Sequence, residues 1–508
     1  MTREKVTDSQ PGVFGLDLLT DENSLDPTSL RLAENVRCGE AGGATKRRGS
    51  QRLTAAVVAA NPVLNGYSWV QPSAVTELVV INGTLYKATF GIPTTFSSVV
   101  GALAAAVVPA FASFRDGSVN VCYIADGGPL NKFDGTTLTI NLASTPNVKL
   151  LAVYNERLFG ATGDDETIYW SGLGNGDGLG VGGSGGGSAS VRTFGRQKVT
   201  GLLTLGDSLL VLHQRGISRF TGISKDDIAI AAGTRGYSVD VGTTAPRSLV
   251  AVDHAAMVAT ERGVYWLESA VEPQLVSAKI ATVFRSLASS DLANICAAHN
   301  RPFYEVLFFV PGVGLFAYNY LSKQWYGPWA DGYLSPAVKA MWETQDSTGV
   351  PAALAGDASG WVRQCDRSGT AKDNLAPDST GGTTYTMKAK FHRMFCGDPA
   401  TCKSHRWGYV TANIFGSSTF LVRWQSRSGA NSHTLPASTG IIAWDDPGTE
   451  WDEVGSTWDE GSGTGMRPFR VPMDGWGESV DVTIEDAGIT EVQLSRFDLE
   501  AFNMGRRG

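Results

Sequence analysis

Apolar and polar residues alternate with a period of two along most of the chain, in short runs broken by turn-forming residues. The clearest stretch is KLLAVYNERLFGATGDDETIYWSG, residues 149–172. LLAVY, RLFGAT and TIYWS read as three strands around the polar pair Asn155–Glu156 and the charged tip at 163–166, which predicts a β-meander with one buried face. A single meander cannot bury that face alone. Related strands recur: LYKAT from Leu85, LNKFDG from Leu130, IYWSG from Ile168, ISRFTG from Ile217, VYWLES from Val264, LFAYNY from Leu315 and WVRQCD from Trp361. Successive starts lie 45, 38, 49, 47, 51 and 46 residues apart, the length of a four-stranded propeller blade of about 40–50 residues. The pattern predicts an all-β fold in which residues 60–370 form a β-propeller of seven blades, with six as the second choice. Closing the ring leaves no unpaired edge at its ends.

Finer features follow from the same reading. Asn82–Gly83 places a tight hairpin turn between two strands, and turns are expected at Asp126–Gly128 and Asp134–Gly135. The glycine-dominated run 172–188 reads as a flexible surface loop, since no helical pattern and no Lys-Ser/Thr pair follows to make it a phosphate loop. Residues 280–300 predict one short helix capped by Ser289 or Ser290. Tyr318, Trp325 and Trp329 are expected between adjacent blades, and AALAGDASGWVRQCD belongs to the last blade. Residues 1–59 read as an extended segment with a short helical turn starting at Asp26–Pro27 and a strand pair, AENVRC and ATKRRGS. Residues 371–382 have linker composition. Residues 383–508 contain five strand-like runs and predict a small β-sandwich that carries an acidic, Trp-rich loop at 443–461.

Composition narrows the class. At 508 residues the chain is too long for one core, and 42% hydrophobic against 18% charged residues describes a folded protein rather than a disordered one. Forty-two basic against 50 acidic residues leave −8, with no surplus for nonspecific binding to DNA phosphates. The polar start MTREKVTDSQPG lacks an apolar leader core. The most lipid-like run, 99–112, is shorter than the roughly 20 residues of a spanning helix and contains Pro109. A protein without a membrane span, made in a cytoplasm, is expected. The six scattered cysteines read as reduced, buried, small hydrophobes, the alternative being a disulfide between Cys396 and Cys402.

The order of a glycine-led apolar start, an Asp-Pro turn, the Asn-Val-Arg strand at 35–37, a Gly turn and Lys46-Arg47-Arg48-Gly49 resembles the amino-terminal segment of tail proteins from tailed bacteriophages. The likeness is to the propeller-containing nozzle or tail-stabilisation proteins at the distal end of short-tailed phage tubes. It continues through the meander at 149–172 to Lys403-x-x-Arg406 and the closing Gly-Arg-Arg-Gly. The resemblance implies a structural component of the virion tail, a homohexameric ring that builds or closes the DNA-ejection channel. Its implied partners are an adaptor or tube ring and a fibre or tip protein, with genomic DNA passing unbound. Six copies at −8 each carry −48, which agrees with weak DNA retention. The alternative is a receptor- or glycan-binding propeller module of the virion.

Two groups of residues are candidates for a subunit interface. Trp444, Trp451 and Trp458, each followed by Asp, recur seven residues apart. They read as rings tucked onto their own sandwich, as interface anchors, or, through the acids, as a Ca²⁺ site. Lys46, Arg47 and Arg48 read as a solvated strand end or as a contact to an acidic neighbouring subunit. Enzymatic activity, a cofactor and a metal are not expected. Glycan cleavage needs paired carboxylates about 5–10 Å apart, and Asp253, Glu261 and Glu305 are isolated along the sequence. The six histidines show no ligand spacing.

Overall fold

The computed structural model describes residues 5–505 apart from 11–14, 22, 39–42, 73, 192–196, 223–235, 239, 269–271, 347, 368–370, 414–417, 436–466 and 489–491. The fold is all-β. Seven antiparallel sheets follow one another along the chain, six of them four-stranded, while the sixth in order continues into a nine-stranded sheet. The first sheet runs Val63–Val70, Val75–Ile81, Thr84–Thr89 and Ser97–Ser98. In the third, Leu150–Tyr154, Arg157–Ala161 and Thr167–Trp170 form the expected meander. The turns that set these registers are two residues long, and both central residues have positive φ: Asn82 at 47° with Gly83 at 75°, and Asn155 at 45° with Glu156 at 56°.

The first strand of one sheet lies beside the first strand of the next. This holds from the first sheet to the fourth and from the fifth to the seventh, and Val338–Gln345 of the seventh returns to Val63–Val70 of the first. Cores fill the spaces between consecutive sheets. Trp69, Leu78, Cys122 and Phe133 share one between the first and second sheets, where the Trp69 and Phe133 rings are 5.6 Å apart. Leu53, Ile81, Trp342 and Leu354 share another between the seventh and first. Because each sheet packs on both faces, its central strands read as near-continuous apolar runs, as in Glu305–Val310, which is buried throughout.

The seventh sheet takes its fourth strand from the other end of the chain. Val338–Gln345, Pro351–Asp357 and Val362–Arg367 are joined by Gly49–Arg52, which pairs antiparallel with Val362–Arg367. Just upstream, Leu32–Glu34 bridges Gln324–Trp329 of the sixth sheet and Met387–Lys390, beyond which lie Val480–Asp486, Phe420–Ser426 and Gly429–Leu435. A six-stranded sheet faces it, containing Arg467–Gly477, Cys402–Asn413, Gln493–Gly505, Ala44–Lys46 and Val36–Cys38, with Lys5–Gln10 along Gln493–Gly505. Phe391 and Phe497 stack at 5.8 Å between the two layers.

Several expectations are corrected. Asp26 does not start a helix: its carboxylate accepts the Thr28 N–H at 2.8 Å and its carbonyl the Ser29 N–H at 2.9 Å, so a turn feeds directly into the strand Ser29–Leu30. Residues 281–293 hold two helices, Ala281–Arg285 and Ser289–Ala293, and Cys296–Asn300 is a strand. The glycine run at 172–188 is packed in part: a Cβ on Gly176 would lie 2.3 Å from the Tyr123 ring and Gly187–Ser190 is the fourth strand of its sheet, while Gly182 and Gly183 are exposed with open space around them. The segment 371–382 is clamped, with Ala371, Asp373 and Leu375 buried. Trp329 meets the N-terminal segment, donating from Nε1 to the Val36 carbonyl at 3.0 Å, while Trp325 reaches the neighbouring fifth-sheet segment at the Val276 carbonyl, 2.8 Å away. Residues 1–59 and 383–508 are not separate units, because strands from the first complete both sheets of the second. No disulfide joins any of the six cysteines, all of which are buried.

At the seam between the seventh and first sheets, Glu77 is buried with no cationic partner among the described residues. It accepts from Ser68 Oγ at 2.9 Å, from Trp342 Nε1 at 2.9 Å and from the Thr344 hydroxyl. Burial raises its pKa and these three donors offset that only in part. The folded state therefore holds this proton more tightly than the unfolded chain, and stability from Glu77 falls as pH rises from the ordinary carboxylate range through the raised value. Glu77→Gln should gain on the wild type in denaturation midpoint as pH rises from the ordinary carboxylate range. A difference that does not change with pH would refute a strained carboxylate at the seam.

Candidate functional site

The N-terminal segment changes layers at Asn35. Its φ of 55° breaks the strand, so Leu32–Glu34 joins one sheet and Val36–Cys38 the other. Asparagine tolerates this left-handed conformation better than most residues. Its side chain is fully used: Nδ2 donates to Asp331 Oδ2 at 3.1 Å and the Thr386 carbonyl at 2.8 Å, and Oδ1 accepts from Arg47 Nε at 2.9 Å.

Arg47 has no exposed surface. Its guanidinium grips Asp373 with two bonds of 2.8 and 2.5 Å, gives its other Nη protons to the Arg48 and Asp331 carbonyls at 3.0 Å each, and lies 3.7 Å over the Tyr385 ring. All five N–H donors are satisfied. Burial opposes the charge, but Asp373 more than offsets it and the pKa of Arg47 is raised. Lys46 points into the two-layer core, donating to Asp486 Oδ2 at 2.9 Å and to the Asp486 and Gly488 carbonyls. Its pKa is lowered by burial, which Asp486 only partly counters. Arg37, on the same segment, binds Glu305 with bonds of 2.8 and 3.0 Å and also reaches Asp366. Burial pushes the Glu305 carboxyl up, Arg37 pulls it down and Asp366 pushes it up again, to a net value above the ordinary range.

The reading of Lys46 and Arg47 as solvated or as contacts to another subunit is therefore corrected: their partners are carboxylates of this chain. Arg48 is half-buried over Phe303, 4.9 Å from its centroid. Trp444, Trp451 and Trp458, with the whole loop 443–461, lie outside the described residues. Sequence reasoning missed Arg37 and Asn35. Their signals were the apolar–polar–apolar order of Val36–Cys38 and the place of Asn35-Val36-Arg37 in the family resemblance, neither of which names a partner, and the partners of Arg37 lie 268 and 329 residues away.

A second feature is an open cavity of about 860 Å³ bounded by the first strands of the sheets. Lys149 and Arg247 line it, as do Ser68, His299, Trp342 and Glu343. Lys149 pairs with Asp164 at 2.6 Å, and Arg247 donates to the Lys339 carbonyl at 2.5 Å and Asn294 Oδ1 at 2.7 Å. Glu343 pairs with Arg301 at 2.7 Å and is the one carboxylate among the described lining residues, so the two-carboxylate geometry of glycoside cleavage does not occur there. Glu305 sits in the Arg37 cluster, and Asp253 and Glu261 are exposed in turns. Among the described residues no group of three or more His, Cys, Asp or Glu side chains converges to hold a metal.

No family model and no curated protein matches this sequence. Among solved structures the chain is similar to PorZ, described as an essential bacterial surface component of the type-IX secretion system of Porphyromonas gingivalis. Identity is 12% and the TM-score 0.39, over 81% of this chain and 59% of that one. Function is therefore argued from the residues.

Removing one partner of a buried ion pair strands the other charge, at a cost of about 3–5 kcal/mol. Asp373→Ala is expected to lose that much by chemical denaturation, and Arg48→Ala less, about 1–2 kcal/mol, the scale of a partly buried cation–π contact. Equal, small losses in both would mean that Arg47 is solvated after all.

Proposed function

We propose that this chain is a seven-bladed β-propeller fused to a β-sandwich, and that it serves as a structural subunit of a bacteriophage tail. Six copies assemble as a ring that builds or closes the DNA-ejection channel and docks to an adaptor or tube ring on one side and a fibre or tip protein on the other. The observation that carries this reading is the use made of the N-terminal segment. The stretch whose order resembles tail proteins, from the glycine-led start through the Asp-Pro turn to Gly49, contains the strands and charges that tie the seventh sheet, the sixth sheet and both C-terminal layers into one body. A wall element needs such rigidity, and no reacting group has to be positioned in it. The net charge of −8 per chain supports a channel that does not retain DNA.

The cavity between the first strands favours a second reading, a receptor- or glycan-binding module of the virion, because a propeller fold suits either role. Native mass measurement with negative-stain imaging tests the first: closed rings of about six subunits with a central hole are expected, since cyclic assembly is the rule for closed heterologous contacts. Replacing Trp444, Trp451 and Trp458 by Ser should shift the mass toward monomer while leaving the thermal transition in place. Rings with a lumen too narrow for a duplex, or a monomer that captures host-envelope glycans, would replace the channel reading with the second one.

A further inference from the structure

The cavity bounded by the first strands carries two cations on its wall, Lys149 and Arg247, and one carboxylate, Glu343, which is paired with Arg301. Four cations stand at or just before the starts of first strands: Lys149 before Leu150–Tyr154, Lys198 before Val199–Leu205, Arg247 before Val250–Val252, and Lys339 in Val338–Gln345. Arg247 and Lys339 are neighbours through the bond to the Lys339 carbonyl, and both act electrostatically on the Cys296 thiol. Lys149 and Lys198 both act on Asp164, whose pKa is lowered chiefly by its hydrogen bond from Lys149. Asp164 answers only one of these four charges directly.

The cation positions are built rather than incidental. The Lys149 stem runs beside Gly127 and Gly163, where an added Cβ would lie 3.4 and 3.5 Å from it. The Arg247 guanidinium is fixed by two acceptors. Deeper in, Tyr67 and Phe111 stack with centroids 5.5 Å apart and planes 4° from parallel, both on the cavity wall. The volume of about 860 Å³ lies inside the range of small-molecule sites, about 300–1,000 Å³.

We propose that this cavity binds a monosaccharide-sized anion, a sugar bearing a carboxylate or a phosphate, with its charge between Lys149 and Arg247 and its ring against the Tyr67–Phe111 pair. Two cations on the wall of one concave site attract an anion together, and aromatic faces suit the apolar face of a sugar ring. The site is independent of ring assembly, so a monomeric protein tests it equally well.

The experiment is calorimetric titration of the full chain with glucuronate, glucose 6-phosphate and glucose. At least one anionic sugar should bind saturably and more weakly at high salt, and neutral glucose should not bind; which anion wins separates the carboxylate source from the phosphate. Lys149→Met and Arg247→Gln should each weaken binding at least about tenfold, equivalent to about 1.4 kcal/mol. Lys149 is partly exposed and its partner Asp164 is well exposed, so Lys149→Met keeps the fold even if Arg247→Gln does not. Failure of both anions to titrate, equal binding of glucose, or an affinity that Lys149→Met leaves unchanged would each overturn the assignment.

Discussion

The structure depends on a guanidinium that has no contact with water. Arg47 spends one donor on its neighbour Arg48 and the other four on groups from separate parts of the chain: Asn35 from the N-terminal segment, Asp331 from the link between the sixth and seventh sheets, and Asp373 from the stretch before the C-terminal layers. Burying an ion pair adds little net stability, because desolvation consumes most of the Coulombic gain. What it adds is selectivity. A packing that brought these segments together in any other register would leave a full charge unpaired in the interior, and Lys46 with Asp486 and Arg37 with Glu305 impose the same condition at two further points.

Hydrogen bonding carries that constraint outward. From Cys296–Asn300 the nine-stranded sheet runs through Leu32–Glu34 to Gly429–Leu435, its two parts joined by the single pair Gly327–Ala33. The Arg37–Glu305 and Arg47–Asp373 ion pairs brace this narrow join, where a flexible linker would leave a soft one. In the proposed ring, force applied to the C-terminal layers would reach the sixth sheet through that pair and those ion pairs.

Much of this was legible in the amino-acid pattern. The alternation at 149–172, the Asn82–Gly83 turn and the regular spacing of apolar strands are local signals, each set by neighbours a few residues away, and the structure places strands and turns where they fall. Seven repeats were countable, although the fourth strand of the last came from Gly49–Arg52, outside the range assigned to the repeats. The errors share a cause. Lys46 and Arg47 look like a solvated strand end because their partners lie 440 and 326 residues away, and nothing local announces them. The stretch 371–382 reads as a linker because Asp373 is polar, yet that polarity is what holds it in the interior. Gly429–Leu435 carries few apolar residues and is largely exposed, so it gave no strand signal.

The closure of the seventh sheet by Gly49–Arg52 also orders events in time. A ribosome releases that strand long before its partner Val362–Arg367 exists, and Lys46 emerges 440 residues ahead of Asp486. At roughly 5–20 residues per second, the segment waits on the order of 20 s to more than a minute beside nascent sheets whose edges it does not match. The first six sheets have most of their strands from contiguous sequence and can form as they emerge, whereas the basic segment must stay soluble and unpaired throughout. Its Lys and Arg side chains can stay hydrated until their carboxylate partners are made. The charges that lock the finished molecule therefore meet those partners only after most of the repeats between them have been synthesised.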